Sequence, residues 1–302
     1  MTMQVNDIKV AFIGLGVMGF PMAGHLQRHG YPTCVYNRTT GKAEAWCDTY
    51  SGTYGITPAE AVADADIVFM CVGNDDDVRS VVYGDIGVLA NMKKGSTLVD
   101  HTTTSAELAL ELAQVCERQG LSFLDAPVSG GQAGAEKGAL TIMVGGTPNV
   151  FSNVGPVMNV YASAIQHIGP HGSGQRCKMA NQICIAGVLQ GLSEALTFAQ
   201  SADLDIEKMI NAIKHGAAGS WQMENRALTM AEDSFDFGFA IDWMRKDLGF
   251  CLEEAAKLGV GLPLTEQVDQ QYNKLQARGY GRCDTSVLIK QFDTDTKPSS
   301  ST

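Results

Sequence analysis

The sequence predicts an α/β domain built on a parallel sheet, followed by an all-α domain. Three observations carry that reading. Residues 8–13, Ile-Lys-Val-Ala-Phe-Ile, form a short apolar run rich in β-branched residues and lead at once into Gly14-Leu15-Gly16-Val17-Met18-Gly19 and a helical stretch ending near His29. Strand-like and helix-like segments then alternate at short spacing as far as Ile168, the pattern of a doubly wound sheet. From Gly169 onward strand-like alternation stops and helical stretches follow one another.

At 302 residues the chain is too long for one core of ordinary size, so two domains are expected. The boundaries read as 1–168 for the α/β domain, 169–292 for the helical one and 293–302 for a disordered polar tail. A hydrophobic content of 45% with 18% charged residues describes a soluble globular chain with ample core. The formal charge of −11 argues against nucleic acid and against an anionic membrane surface as partners. Small anions remain possible ligands, because helix N-termini and single lysines bind them locally. No run approaches a membrane span in length, and the N-terminus lacks the basic-then-apolar pattern of a leader. The eight cysteines contain no C-x-x-C pair, and they read as reduced core residues of a cytoplasmic protein. Scattered His and Cys offer no metal-ligand spacing.

Taken in order, the first strand, glycine turn and helix form a G-x-G-x-x-G unit in its proper context. Gly14 permits the tight turn, Gly16 lets the backbone approach a pyrophosphate and Gly19 lets the helix pack against the strand. Leu15, Val17 and Met18 complete that cofactor loop. The second strand, 33–36, ends at Asn37-Arg38-Thr39, where an NAD-type fold usually places a carboxylate for the adenosine ribose. A guanidinium beside an uncharged amide favours a 2′-phosphate, hence NADP over NAD, although the same residues make an ordinary polar turn. Strand 66–72 opens into Gly73-Asn74-Asp75, and strand 97–99 ends at Asp100-His101-Thr102-Thr103-Thr104. Val72, Gly73, Asn74 and Thr103 therefore stand at carboxyl ends of strands, where ligands collect. Each could equally be part of a helix cap, as Thr104 or Ser105 is before Ala106. After a helix to about Gln119 and strand 122–124 comes Asp125-Ala126-Pro127-Val128-Ser129-Gly130-Gly131-Gln132-Ala133-Gly134. There Ser129 with the amides of Gly130 and Gly131 makes a small anion nest suited to a carboxylate. Strands 140–144 and 163–168 close the domain.

Helices are expected over 175–202, 205–215, 221–231, 239–258 and 264–278, separated by Gly and Pro signals. On the first, Lys178, Asn181 and Gln182 share a face and can converge on a small polar ligand. Ile183, Ile185, Ala186, Leu189, Leu192, Leu196 and Phe198 cover most of the rest, so the helix should be buried. A snorkelling or ion-paired lysine is the plain alternative for Lys178. Asp242 and Lys246 stand four apart, which fits an intrahelical ion pair or a lysine aimed at a ligand.

Four stretches together resemble the β-hydroxyacid dehydrogenase family: Gly14 to Gly19, Asp125 to Gly131, Gly172-x-Gly174-x-x-x-Lys178-x-x-Asn181, and Lys246-Asp247-Leu248. The resemblance runs from Val10 to about Phe292 and the motifs occur in family order. It implies a Rossmann-type domain followed by an all-helical one, as in 6-phosphogluconate dehydrogenase, with the active site in the cleft between them and a homo-oligomer formed through the helical domain. It also implies a small carboxylate-bearing substrate, NADP or NAD as cofactor, and 3-hydroxyisobutyrate dehydrogenase or tartronate semialdehyde reductase activity. By family match Lys178 is catalytic, Asn181 holds the substrate with Gln182 beside it, and Ser129, Gly130 and Gly131 take its carboxylate. Thr103 and Lys246 match positions near the nicotinamide. Gln182 after Asn181 is similar to the tartronate semialdehyde reductases; His101-Thr102 and Asn37 depart from the commoner pattern.

Oxidising a 3-hydroxy acid requires hydride transfer and removal of the hydroxyl proton, so one placed acid/base is needed. A lysine of ordinary pKa, about 10.4, is a poor base at neutral pH. Burial, the oxidised nicotinamide and Lys246 are each expected to favour its neutral form. A non-catalytic cofactor-binding sensor or scaffold is the reading from another class; intact Lys178 and Asn181 argue against it.

Overall fold

The computed structural model describes residues 7–293, so the tail expected over 293–302 lies outside the described residues apart from Asp293. The chain divides into two compact units at Lys178 and Met179, later than the boundary read from the sequence.

In the first unit the strands are β1 (Val10–Ile13), β2 (Thr33–Tyr36), β3 (Thr53–Tyr54), β4 (Ile67–Met70), β5 (Thr97–Asp100), β6 (Ser122–Asp125), β7 (Val128–Ser129), β8 (Leu140–Gly146) and β9 (Ala162–Gly169). Between them lie helices α1 (Gly19–Arg28), α2 (Thr40–Tyr50), α3 (Pro58–Val62), α4 (Asp75–Val82), α5 (Val88–Asn91), α6 (Ala106–Gln119), α7 (Gly131–Lys137) and α8 (Pro148–Met158). The sheet order is β3-β2-β1-β4-β5-β6-β8-β7, with β9 on β8. From β3 to β6 every pairing is parallel, in a register that sets Ile13 opposite both Tyr36 and Met70 and Asp100 opposite Asp125. The strand ends therefore lie side by side along one edge. Alternate residues of β1 face opposite layers: Val10 and Phe12 join one buried cluster, Ala11 and Ile13 the other. That two-sided burial explains why these strands read as apolar runs rather than alternating ones.

The expectation of a wholly parallel sheet fails beyond β6. β8 runs antiparallel to both β6 and β7. Only Ala126 and Pro127 separate β6 from β7, and α7 then turns the chain back, so no crossover of the length a parallel return needs is available. α6 is capped by Ser105, whose hydroxyl accepts the Leu108 N–H at 3.0 Å, and by left-handed Gly120 at its other end.

α9 (Ser173–Ser201) runs from the first unit into the second, which continues with α10 (Ile206–Ile213), α11 (Trp221–Ala231), α12 (Ile241–Leu258) and α13 (Pro263–Ala277) and a 3-10 segment over Thr285–Phe292. Its core joins Ala186, Leu189, Leu192 and Leu196 of α9 to Met244 and Leu248 of α12 and Tyr272 and Leu275 of α13. Two expectations about α9 need correction. Phe198 is 71% exposed rather than buried. By length and composition α9 could also cross a membrane; its leucines instead line the helical core. The eight cysteines are free thiols, yet Cys184 is exposed rather than in the core.

Candidate active site

The glycine turn after β1 is shaped to receive a dinucleotide. Gly14 has φ +96°, and a Cβ there would overlap the Cys71 carbonyl. A Cβ on Gly16 would meet nothing within 4 Å, so open space lies over the turn where a pyrophosphate fits. The first turn of α1 has neither a side-chain cap nor an acidic residue, which leaves its N–H groups and helix dipole for an anion. Within the loop Leu15 is 2% and Val17 62% exposed, so Leu15 contributes backbone only. Met18 precedes Gly19 at the start of the helix and packs against the core.

Asn37 bonds to the glycine turn and to its own loop. Its Oδ1 accepts the Leu15 N–H at 2.9 Å and its Nδ2 donates to the Thr39 carbonyl at 3.0 Å. It braces the glycine turn against the end of β2, a role that an amide with both donor and acceptor can fill. Arg38 is 88% exposed at its side chain and stands 3.6 Å from Asp77. An exposed pair of that length holds weakly, so the guanidinium can turn to a phosphate.

At the end of β4 the Val72 N–H donates to the Thr102 hydroxyl at 3.0 Å. Gly73 follows, and Asn74 caps α4 by accepting the Asp77 N–H at 2.9 Å. Asp75 binds the Ser105 hydroxyl and N–H at 2.5 and 3.0 Å, tying the start of α4 to the start of α6. Thr103 lies half-buried between these anchors.

His101, where the sequence departs from the family pattern, faces the core. Its Nδ1 donates to the Ala126 carbonyl at 2.6 Å, and its Nε2 accepts from the Tyr161 hydroxyl at 3.0 Å. Phe69 stacks on the ring. Burial lowers its pKa to about 4, whereas burial raises that of neighbouring Asp100 to about 7. Between about pH 4 and 6.5 the two groups act oppositely on stability. Unfolding takes up a proton at His101, which makes stability rise with pH, and releases one at Asp100, which makes it fall. Asp100→Asn removes the falling contribution and keeps an acceptor for the Thr102 N–H, which Asp100 now bonds at 2.9 Å. Chemical denaturation across this range should therefore show the variant gaining, relative to wild type, about 1 kcal/mol per pH unit. Parallel curves would show that Asp100 ionises normally.

Beyond β6, Gly130 and Gly131 adopt φ +125° and +60°, a backbone conformation that favours glycine, beside the half-buried Ser129. Asp125, fully buried, accepts the Gly172 N–H at 2.8 Å and the Gln175 N–H at 3.0 Å. One carboxylate thus anchors the first turn of α9 to the end of β6 and satisfies its otherwise unpaired amides. Lys178 follows one turn later and is 7% exposed.

In the second unit the Asn181 Nδ2 donates to Gln182 Oε1 at 2.8 Å, and Gln182 Nε2 donates to Asp247 at 2.6 Å. Asp247 in turn lies 3.3 Å from the Lys246 ammonium, which sits near the Trp243 and Phe250 rings. Gln182 is 2% exposed with both amide atoms engaged; it orients Asn181 and is not itself presented to a ligand. Asp242 accepts from Gln276 at 2.5 Å, so the two partners proposed for an intrahelical pair have other attachments.

Sequence reading overlooked Asp125, Gln175 and Asp247 as anchors. Asp125 and Asp247 lie inside the quoted motifs. Gln175 lies three positions before Lys178, and that spacing was the available signal for it.

Residues 9–169 match the family model described as the NAD binding domain of 6-phosphogluconate dehydrogenase, and residues 172–292 match that described as the NAD-binding of NADP-dependent 3-hydroxyisobutyrate dehydrogenase. An uncharacterized oxidoreductase of Shewanella frigidimarina is 56% identical over 94% of this chain and 98% of its own length. The 2-hydroxy-3-oxopropionate reductase of Escherichia coli is 36% identical over 95% of this chain and 97% of its own. Among solved structures, a Mycobacterium tuberculosis 3-hydroxyisobutyrate dehydrogenase with L-serine superposes with a TM-score of 0.86 at 28% identity, covering 95% of this chain and 99% of that one.

Proposed function

The chain belongs to the β-hydroxyacid dehydrogenase family, and on that premise we propose that it interconverts tartronate semialdehyde and its 3-hydroxy acid with NADPH as the preferred cofactor and Lys178 as acid/base. The class of reaction follows from membership: NAD(P)-dependent hydride transfer between a nicotinamide and a small 3-hydroxy acid or semialdehyde. Nothing favours the non-catalytic alternative. The observation that carries the assignment of roles is a lysine buried to 7% exposure, one turn beyond a helix start bonded to the strand that leads to Ser129. A lysine is rarely buried without a task.

A nicotinamide, when bound, would supply or accept the hydride. Lys178 gives its ammonium proton to the carbonyl oxygen as the aldehyde is reduced and takes it back in oxidation. Ser129 and the amides of Gly130 and Gly131 hold the substrate carboxylate, while Asn181, oriented by Gln182, bonds the hydroxyl. Lys246 adds positive charge for an anionic substrate. Tartronate semialdehyde is the substrate named by the E. coli relative, whose other chemical name is 2-hydroxy-3-oxopropionate. Nicotinamide absorbance against tartronate, methylmalonate and succinate semialdehydes and glyoxylate, and in reverse with 3-hydroxyisobutyrate and serine, tests the choice. A kcat/KM for another substrate above that for tartronate semialdehyde would sink it.

Cofactor preference has its own test. Arg38→Ala should raise the KM for NADPH about tenfold, the equivalent of one charge-assisted contact, and leave that for NADH within about twofold. Equal changes for the two cofactors would remove the phosphate contact. The exposed Cys184, Val188 and Phe198 on α9 fit contact with a second copy of the chain. Sedimentation at the protomer mass would count against a homo-oligomer.

A further inference from the structure

We propose that Gln175 is a positioning residue that holds Thr103 and Lys178 in fixed relation, an inference that rests on the acid/base reading of Lys178. Gln175 is fully buried. Its Nε2 donates to the Thr102 carbonyl at 2.8 Å and its Oε1 accepts the Thr104 N–H at 3.1 Å. One side chain therefore grips the backbone on both sides of Thr103. Its own N–H is held by Asp125, and Lys178 stands three positions on in the same helix.

The chemistry of the grip is selective. β5 has ended at Asp100 and α6 begins only at Ala106, so no sheet or helix bond serves Thr102 C=O or Thr104 N–H. Thr102 and Thr104 are 2% and 1% exposed, and buried backbone groups need partners. A neutral amide offers a donor and an acceptor on one planar head; an ionised carboxylate only accepts, and a leucine does neither. Asp125 fixes where α9 starts, and Gln175 fixes how the Thr103 loop lies against it. Small displacements of such groups are costly to turnover: about 1 Å of misplacement can lower a rate 10²-fold.

Gln175→Glu and Gln175→Leu test this together. In Gln175→Glu the ionised group loses the donor to Thr102, and kcat should fall at least about tenfold at neutral pH, with the Kd for NADPH within about threefold. As pH is lowered the introduced carboxyl takes up a proton, regains the donor, and kcat should recover relative to wild type. Burial and the neighbouring Asp125 carboxylate push that protonation upward in pH; Lys178, three positions on in the same helix, opposes it. Gln175→Leu should lose kcat similarly with no recovery, and the Thr104 amide should exchange faster with deuterium in the cofactor-free protein. Unchanged Thr104 exchange, or a kcat within twofold of wild type in both variants, overturns the inference. So does a loss in Gln175→Glu that is independent of pH and matched by an equal rise in Kd, which is the mark of a general structural role. Wild-type turnover that survives Lys178→Ala would instead overturn the acid/base reading. Loss in Lys178→Ala alongside wild-type kcat in both Gln175 variants removes this inference alone.

Discussion

Lys178→Ala is expected to lower kcat by about 10²–10⁴-fold, the usual contribution of a placed general acid or base, while the Kd for NADPH stays within about twofold. The separation follows from position. The glycine turn, Asn37 and Arg38 belong to the ends of β1 and β2, whereas Lys178 belongs to α9 beyond the end of β6. Truncation also removes a buried charged group without disturbing the bonds from Asp125 to Gly172 and Gln175, which involve backbone N–H groups. Lys178→Arg should fail as well, because guanidinium stays protonated and cannot complete the cycle. Stopped-flow turnover with a parallel fluorescence titration of NADPH would measure both quantities. A kcat within tenfold of wild type in Lys178→Ala would reassign the acid/base.

Gly174→Ala should destabilise the protein by about 3 kcal/mol, at the upper end of overpacking penalties. A Cβ at this position would lie 2.6 Å from the carbonyl oxygens of Asp125 and Met143 and 2.9 Å from an Asp125 carboxylate oxygen. Two of those neighbours are backbone in paired strands, so they cannot swing aside as a side-chain end could. Relief requires the first turn of α9 to lift off β6 and β8, which strains the bonds from Asp125. For a chain of 302 residues the loss corresponds to roughly 5 °C in Tm, readable by calorimetry. Gly191→Ala on the same helix, where a Cβ would meet nothing within 4 Å, is the matching control and should leave Tm unchanged or higher. Equal effects at the two positions would mean that the close approach at Gly174 is not what holds α9.

The parts of the site legible in the sequence are those fixed by local chemistry. The glycine turn needs only a strand before it and a helix after it, and both are written in residues 8–29. Lys178 and Asn181 share a helix face through their spacing alone. What escaped were partners far apart in the chain. Asp125 meets Gly172, Thr104 meets Gln175, and Gln182 meets Asp247 across separations of 47, 71 and 65 residues. A periodic pattern cannot report such pairings, because it encodes which face is buried and not what lies opposite. Asn37 shows the same limit. Its position at the end of β2 suggested a cofactor contact, and only the structure shows that its amide also bonds Leu15 and Thr39. Gln182 is another such case, its amide atoms taken by Asn181 and Asp247.

By itself the sequence determined the main strands of the first domain and the helical character of the second, the parallel sheet as far as β6, the dinucleotide turn and the family, because each rests on residues near one another or on motifs read in order. Only the tertiary structure decided that β8 runs antiparallel, that the first unit extends through the first turn of α9, and that buried Asp125 and Gln175 secure the helix start before Lys178. The physical reason is the same throughout. Buried carboxylates, amides and backbone groups must find hydrogen-bond partners once water is excluded, and which partner is within reach depends on how distant segments pack.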